Sequence, residues 1–330
     1  SCFYCPLSVE KRGHDVIFAD EMPVRDTHDV LHEARAIRAE GSGISGGDPL
    51  CRLDRTVEYI RLLKEEFGLG FHVHLYTSVT DVDQHTLERL VAAGLDEIRF
   101  HPQGTDWAGI ERALETDLCV GIEVPAIPEE EDRLKQTVLR AEKMGVSFVN
   151  VNELEASETN FQKLASLGMK LTDMQSASIE GSEATAKAIL DWAREVVTGV
   201  SLHYCSARYK DAVQMRRRLE RRLEETIREF EQRDDSDPLL VLGIIRAKHG
   251  EELNSTQLNH LYEVLRRECG IPEDMMSLDD TRDRVEIASW ILEETAAELK
   301  EIIEFSSLLE MGIAYEYPTW DRLQTLFEPL

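Results

Sequence analysis

Two hydrophobic periodicities alternate along the chain. Between Thr27 and Cys205, stretches with apolar residues every three or four positions give way repeatedly to short apolar runs. A helix is expected from Thr27, with Leu31, Ala34 and Ile37 inward and a stop at Gly41. A second places Val57, Ile60, Leu63 and Phe67 on one face and ends at Gly68. Strands are expected over 41–44, 71–77, 97–101, 119–125, 148–152 and 200–205. Helices fall between them: 87–93, 107–114, one through Leu134 and Val138, a short one around Phe161 and Leu164, and one capped by Ser182 that carries Ile189 and Ala193. This rhythm predicts an α/β fold built on a parallel sheet.

Beyond Cys205 the rhythm changes. Residues 206–232 predict one long helix with a stripe through Met215, Leu219, Leu223, Ile227 and Phe230. Its arginines at 216–218 and 221–222, interleaved with Glu220, Glu224 and Glu225, read as a salt-bridged face. The polar run 233–238 marks a boundary. After it come a strand at 239–245, a helix at 255–268, a long helix at 281–309 and a hairpin of 313–317 with 323–327. The domains expected are 1–205, a connecting helix 206–233 and a small α+β domain 234–330.

Composition narrows the class. The chain has 330 residues, enough for one large α/β domain with an appendage, and 42% hydrophobic residues support a proper core. No apolar run approaches the roughly 18 residues of a membrane span, so a soluble, cytoplasmic protein is expected. A net charge of −27 argues against nucleic acid as a partner. With few lysines among the cations, it also suits a host with high internal salt. The six cysteines show no regular spacing beyond the first pair, which argues against a disulfide framework and gives no support to a second cluster. Cys51, Cys119 and Cys269 read as packing residues.

The chemistry centres on Cys2-Phe3-Tyr4-Cys5, whose spacing lets two thiolates converge on metal. That pair alone is compatible with zinc, a redox dithiol or an iron-sulfur cluster. Some forty residues later stands Gly46-Gly47-Asp48-Pro49. Together the two motifs resemble the radical S-adenosylmethionine superfamily, whose signature is C-x-x-x-C-x-aromatic-C followed by Gly-Gly-Glu-Pro after the next strand. Cys2, Tyr4 and Cys5 match the last three marked positions, and Asp48 replaces the glutamate. The first cysteine of that signature would lie four residues before Cys2, so the sequence is expected to lack a first strand and one cluster ligand. With two thiolates alone a cluster would form poorly and the fragment would be inactive.

The resemblance implies a partial (βα)6 barrel, with the open doubly wound sheet as the alternative. Polar residues at the C-terminal ends of the strands favour the barrel. It implies a [4Fe-4S] cluster with Cys2 and Cys5 as ligands, S-adenosylmethionine on the iron that lacks a protein ligand, and an electron donor of the ferredoxin or flavodoxin type. The electron breaks the sulfonium carbon–sulfur bond, and the resulting 5′-deoxyadenosyl radical abstracts hydrogen from an unidentified substrate. Tyr4 would lie beside the adenine, while Gly46, Gly47, Asp48 and Pro49 would admit the methionine end. The short motif and the lack of auxiliary cysteines are similar to the branch of pyruvate formate-lyase activating enzyme. Other classes remain open: a degenerate barrel that binds S-adenosylmethionine or a partner without radical chemistry, and a zinc-binding scaffold. The gene upstream of Ser1 discriminates them, since a cysteine four residues before Cys2 supports the enzyme.

Alternation within the strands selects further candidates, because neighbouring side chains point to opposite faces. His74 and Tyr76 share a face with His72. Arg99 and His101 share one, as do Asn150 with Asn152 and His203 with Cys205, while Glu123 stands between Ile122 and Val124. Arg99 suits a carboxylate, the asparagines suit ribose hydroxyls, and His74, Tyr76, His101 and Glu123 complete a cofactor-facing set. Cys205 and His203 are the candidates to act on substrate.

Overall fold

The computed structural model describes residues 2–174 and 176–330, which form two compact units. One comprises the chain up to Ala19, Pro23–His32 and Ala39–Met215; the other comprises Asp20–Met22, Glu33–Arg38 and Arg216–Leu330. Among the described residues no helix is long and apolar enough to cross a membrane.

After the cysteine loop comes a short hairpin of β1 (Phe18–Ala19) and β2 (Met22–Pro23), then α1 (Thr27–Ala36). This helix stops short of Gly41, because Arg38 adopts a left-handed φ of 47°. The alternating elements follow: β3 (Gly41–Ile44), α2 (Leu53–Phe67), β4 (His72–Thr77), α3 (Gln84–Ala93), β5 (Glu97–Phe100), α4 (Ala108–Leu114), β6 (Cys119–Ala126), α5 (Glu131–Met144), β7 (Phe148–Glu153), α6 (Phe161–Ser166), α7 (Ser182–Val196) and β8 (Ser201–Cys205). The boundaries obey local chemistry. Asp83 caps α3 by accepting from the Thr86 amide at 2.7 Å, and left-handed Gly94 ends it. Ser182, expected as a cap, is instead the first residue of α7 after left-handed Gly181. Its buried hydroxyl donates to the Ala126 carbonyl at 2.7 Å and accepts from the Leu154 amide at 2.8 Å.

Strands β3 to β8 form one parallel sheet in unbroken chain order, with no reversal and hence no switch point of the doubly wound kind. One sheet face carries Val73, Leu75, Ile98, Ile122, Val149 and Val151. These share a single core with Ile60, Leu87, Leu90, Ile110, Val138 and Ile189 of the helices. Each such fully buried side chain is worth about 1.5–3 kcal/mol, so this face holds the helices on. The alternate residues, on the opposite face, include His72, His74, Tyr76, Glu97, Arg99, Glu123, Asn150 and Asn152, and the site is built there.

Past β8 the single helix expected over 206–232 is broken. It consists of α8 (Ala207–Tyr209), a π-helical stretch Lys210–Met215 and α9 (Arg216–Thr226). Met215 and Ile227 remain exposed, so the stripe that predicts one helix is not one buried face. The arginines of α9 pair mostly outside the helix. Arg222 pairs with buried Glu33, Arg218 with Asp20 at 2.9 Å, and Arg221 Nε donates to the Ile37 carbonyl at 2.6 Å. Arg216 keeps the expected i,i+4 partner, Glu220.

The second unit adds β9 (Gln232–Arg233), β10 (Leu240–Ala247), α10 (Ser255–Arg267), β11 (Met276–Asp279), β12 (Arg284–Ile287), α11 (Ser289–Ile302), β13 (Leu309–Glu316) and β14 (Gln324–Pro329). The antiparallel order is β11-β12-β10-β13-β14, with β9 also on β10. The expected hairpin is present, but the helix expected over 281–309 begins only at Ser289. Residues 284–287 alternate with a period of two: Val285 and Ile287 enter the core, while Arg284 meets Glu286 and Glu316. Helices α10 and α11 share that core through Leu258, Leu261, Leu292 and Leu299. Gly243 lets α11 approach, since a Cβ there would sit 2.9 Å from both Ile287 and Leu292.

Candidate active site

Cys2 and Cys5 are both half-buried in one tight turn, closed by the Cys5 amide donating to the Cys2 carbonyl at 3.2 Å. Residues far along the chain pin this turn. Asn160, almost wholly buried, donates from Nδ2 to the carbonyls of Tyr4 and Glu155, both at 3.0 Å, and Thr159 donates to the Leu7 carbonyl at 2.6 Å. The Tyr4 hydroxyl lies 2.7 Å from His101 Nε2, and His101 Nδ1 lies 2.6 Å from the Glu123 carbonyl. A carbonyl only accepts, so Nδ1 carries the proton and Nε2 accepts from Tyr4. Burial lowers the His101 pKa and raises that of Tyr4, which keeps both neutral.

The second loop leaves β3 through Gly46, whose φ of 127° is one that side chains rarely adopt. A Cβ at Gly46 or Gly47 would meet nothing within 4 Å, so open space lies beside this backbone. Asp48 anchors the loop to the end of β4. Its carboxylate accepts from Thr77 Oγ1 at 2.9 Å, from the Ser78 amide at 2.8 Å and hydroxyl at 3.0 Å, and from the Leu50 amide at 3.1 Å. Pro49 is buried, and its carbonyl accepts from Thr56 at 2.8 Å.

Between these loops the polar sheet face is tied together. Glu123, a buried carboxylate at the centre, accepts from Arg99 Nη1 at 3.0 Å, Asn150 Nδ2 at 2.7 Å and Asn152 Nδ2 at 2.5 Å. Arg99 also donates to buried Glu97 and, at 2.9 Å, to the Tyr76 hydroxyl, which lies 3.2 Å from His74 Nε2. Burial disfavours the Arg99 charge, yet Tyr76, Glu97 and Glu123 raise its pKa. Burial pushes the Tyr76 phenol up to about 12. The structure thus brings Tyr4, His74, Tyr76, Arg99, His101, Glu123, Asn150 and Asn152 into one chain of contacts. Within it Arg99 and both asparagines donate to protein partners.

Three comparisons bear on this geometry. The family model described as the radical SAM superfamily matches residues 1–116, and a domain of unknown function, DUF8061, matches 239–330. A putative glycyl-radical enzyme activating enzyme of Methanocaldococcus jannaschii is 32% identical over the whole chain and 86% of that relative. The chain belongs to the radical S-adenosylmethionine superfamily. Among solved structures, the radical S-adenosylmethionine methyltransferase TsrM of Kitasatospora setae, with cobalamin and a [4Fe-4S] cluster bound, aligns at a TM-score of 0.32 and 10% identity. That alignment covers 44% of this chain and 32% of the other. Yersinia pestis DHPS aligns at 0.31 and 16% identity, covering 47% of this chain and 71% of its own.

As a radical S-adenosylmethionine enzyme the chain uses that cofactor with a [4Fe-4S] cluster, and its residues suit both. Cys2 and Cys5 offer two half-buried thiols in one turn, while Gly46 and Gly47 leave the open space that side chains would narrow. Cys205 and His203 lie next to this wall on β8, in register with Asn152 and Asn150. Leu202 and Tyr204 turn the other way, into the helix-covered core. Cys205 is half-buried, and burial raises its pKa, so it is a thiol at neutral pH; His203 is exposed. Cys51 is exposed, Cys119 half-buried, and Cys269 packs on the second core.

Sequence reasoning missed Asn160 and Thr159, which hold the cysteine loop, and Thr77 and Ser78, which hold Asp48. Thr77 ends a strand and was findable as a polar strand end; Asn160 sits in an ordinary turn and gave no signal. Asn160→Ala leaves two carbonyls without their donor and is expected to cost about 1–3 kcal/mol. It also loosens the cysteine turn. Thermal unfolding measures the first effect, and slower incorporation of iron at unchanged cysteine content measures the second.

Proposed function

We propose that this enzyme activates a protein by removing a hydrogen atom from a backbone glycine, using a reductant of the ferredoxin or flavodoxin type in the cytoplasm. The observation that carries this is the likeness to a glycyl-radical enzyme activating enzyme along the whole chain, C-terminal unit included. Per glycine, one electron and one S-adenosylmethionine enter, and methionine, 5′-deoxyadenosine and a glycyl radical leave.

We read the parallel sheet as the wall of a partial barrel, with its polar face as the lumen. Unbroken strand order and a single helix-covered face support this, because a doubly wound sheet is apolar on both faces. On that reading the chain's own residues have distinct tasks. Tyr4, held by His101, lines the cofactor pocket, and Asp48 fixes the glycine loop against β4 so that its backbone meets the methionine end. The Arg99–Glu123 set keeps the wall rigid and dry, and Cys205 and His203 meet the incoming substrate.

The protein expressed from its whole gene, reconstituted with iron and sulfide without oxygen, should give an organic radical signal in a partner protein. The radical should form in equal amount to 5′-deoxyadenosine. Cleavage driven by a small molecule, with no radical on any protein, overturns the glycyl assignment and leaves the cofactor chemistry standing. Cys205→Ala should keep the cluster spectrum and uncoupled cleavage. Radical transfer should fall on the order of 10²-fold, the scale of losing a group placed against the reacting atoms. Loss of the cluster in that variant would make Cys205 a ligand instead.

A further inference from the structure

A second set of metal-ligating side chains occupies the same sheet face at the opposite ends of its strands. His72 opens β4 and His74 follows two residues on, so both rings leave one face. Glu97 opens β5 and stands opposite His74 in the parallel register. One ligand atom from each lies within 4.8 Å of the other two, and His72 Nε2 is 3.8 Å from Glu97 Oε2. Thr77, which anchors Asp48, is five residues up the strand, about 16 Å of extended chain. His101, which meets Tyr4 of the cysteine loop, lies four residues beyond Glu97, so the cluster stands at the other end of these strands.

One atom of this cluster lacks the partner that a purely structural role would give it. His74 Nε2 lies against Tyr76, while Nδ1 is buried with no protein partner. An unpaired buried polar atom is costly, and a metal ion removes that cost. Glu97 uses Oε1 to accept from Arg99 Nε, which orients the carboxylate as outer-shell partners orient metal ligands. Gly43 makes room for the ring, since a Cβ there would sit 2.6 Å from His74 Nε2. The neighbouring charges are already engaged: Arg99 by Glu97 and Glu123, and Asp96 by Lys64 at 2.6 Å.

We propose that His72, His74 and Glu97 bind a divalent transition-metal ion of the zinc class, which clamps β4 to β5 at the end of the sheet away from the cysteine loop. Two imidazoles and one carboxylate suit zinc and its neighbours, whereas magnesium and calcium favour all-oxygen sets. Three protein ligands leave a fourth position to water.

The test uses the chain carrying Cys2→Ser and Cys5→Ser, so that no thiolate of the loop competes. Calorimetric titration with Zn2+ should give one ion per chain, Co2+ should give the visible bands of a low-symmetry site, and Mg2+ should give neither. Zn2+ should also raise the thermal midpoint. His72 is half exposed, so His72→Ala removes a ligand without opening the core. It should weaken Zn2+ binding by about 100-fold or more and abolish the thermal shift. Zn2+ bound equally well by His72→Ala overturns the proposal. So does Zn2+ bound by the unsubstituted chain and not by the double serine variant, which would place the ion on Cys2 and Cys5.

Discussion

Cys5→Ala is expected to reduce 5′-deoxyadenosine formation to background while leaving the fold unchanged. The chemistry needs one iron without a protein ligand on a cluster whose other irons are held by thiolates. On the reading that Cys5 is one of those ligands, its removal leaves one more iron without a thiolate, and a cluster so weakly held is lost. The fold does not depend on this thiol. The turn is closed by the Cys5 amide, by Arg12 donating to the Cys5 carbonyl at 3.2 Å, and by Asn160, Thr159 and His101 acting on neighbouring atoms. Without iron, Cys5→Ala and unsubstituted protein should therefore unfold within about 0.5 kcal/mol of each other. Product chromatography and iron analysis read the first expectation, and thermal unfolding reads the second. A variant that still cleaves S-adenosylmethionine would remove Cys5 from the site.

The sequence made one half of this site legible and hid the other for a definite reason. Strand alternation has a period of two, so the face shared by His74 and Tyr76, by Arg99, by Glu123 and by the asparagines can be read from spacing alone. What those residues bind cannot. Arg99, Asn150 and Asn152 read as free hands for a cofactor, yet in the structure they grip Glu97, two residues before Arg99 on the same strand, and Tyr76 and Glu123 on neighbouring strands. Asn160 reaches Tyr4 across 156 residues, a contact with no local pattern. In the second unit two periods compete. Residues 284–287 read as part of the following helix because an acidic, apolar-rich run also fits a helical stripe, whereas the partners that fix β12 lie on β10 and β11.

Arg99→Met is expected to give the protein a pH-dependent loss of stability that Glu123→Leu does not. Among the described residues Arg99 is the cation shared by two buried carboxylates, Glu97 and Glu123. Without it both buried carboxylates lose their guanidinium partner, Glu123 keeping only the two asparagine amides, and breaking a buried pair costs about 3–5 kcal/mol. Glu123→Leu instead leaves Arg99 paired with Glu97. Its cost is the lost acceptor of two asparagine amides, about 1–3 kcal/mol for each. The two variants thus differ in the charge they leave unpaired, and so in how their loss responds to pH. A buried charge stranded in the native state is relieved by taking up a proton. The native Arg99→Met protein then binds more protons than the unfolded chain, and its stability falls as pH rises. Its deficit against the unsubstituted protein should shrink on acidification. Glu97→Gln in the Arg99→Met background should recover part of the loss, since fewer buried charges then lack a partner. Denaturant unfolding of the four proteins at two pH values measures all of this. Equal losses for Arg99→Met and Glu123→Leu, independent of pH, would mean that Arg99 is held for its packing against Tyr76 and Phe148 and not for its charge.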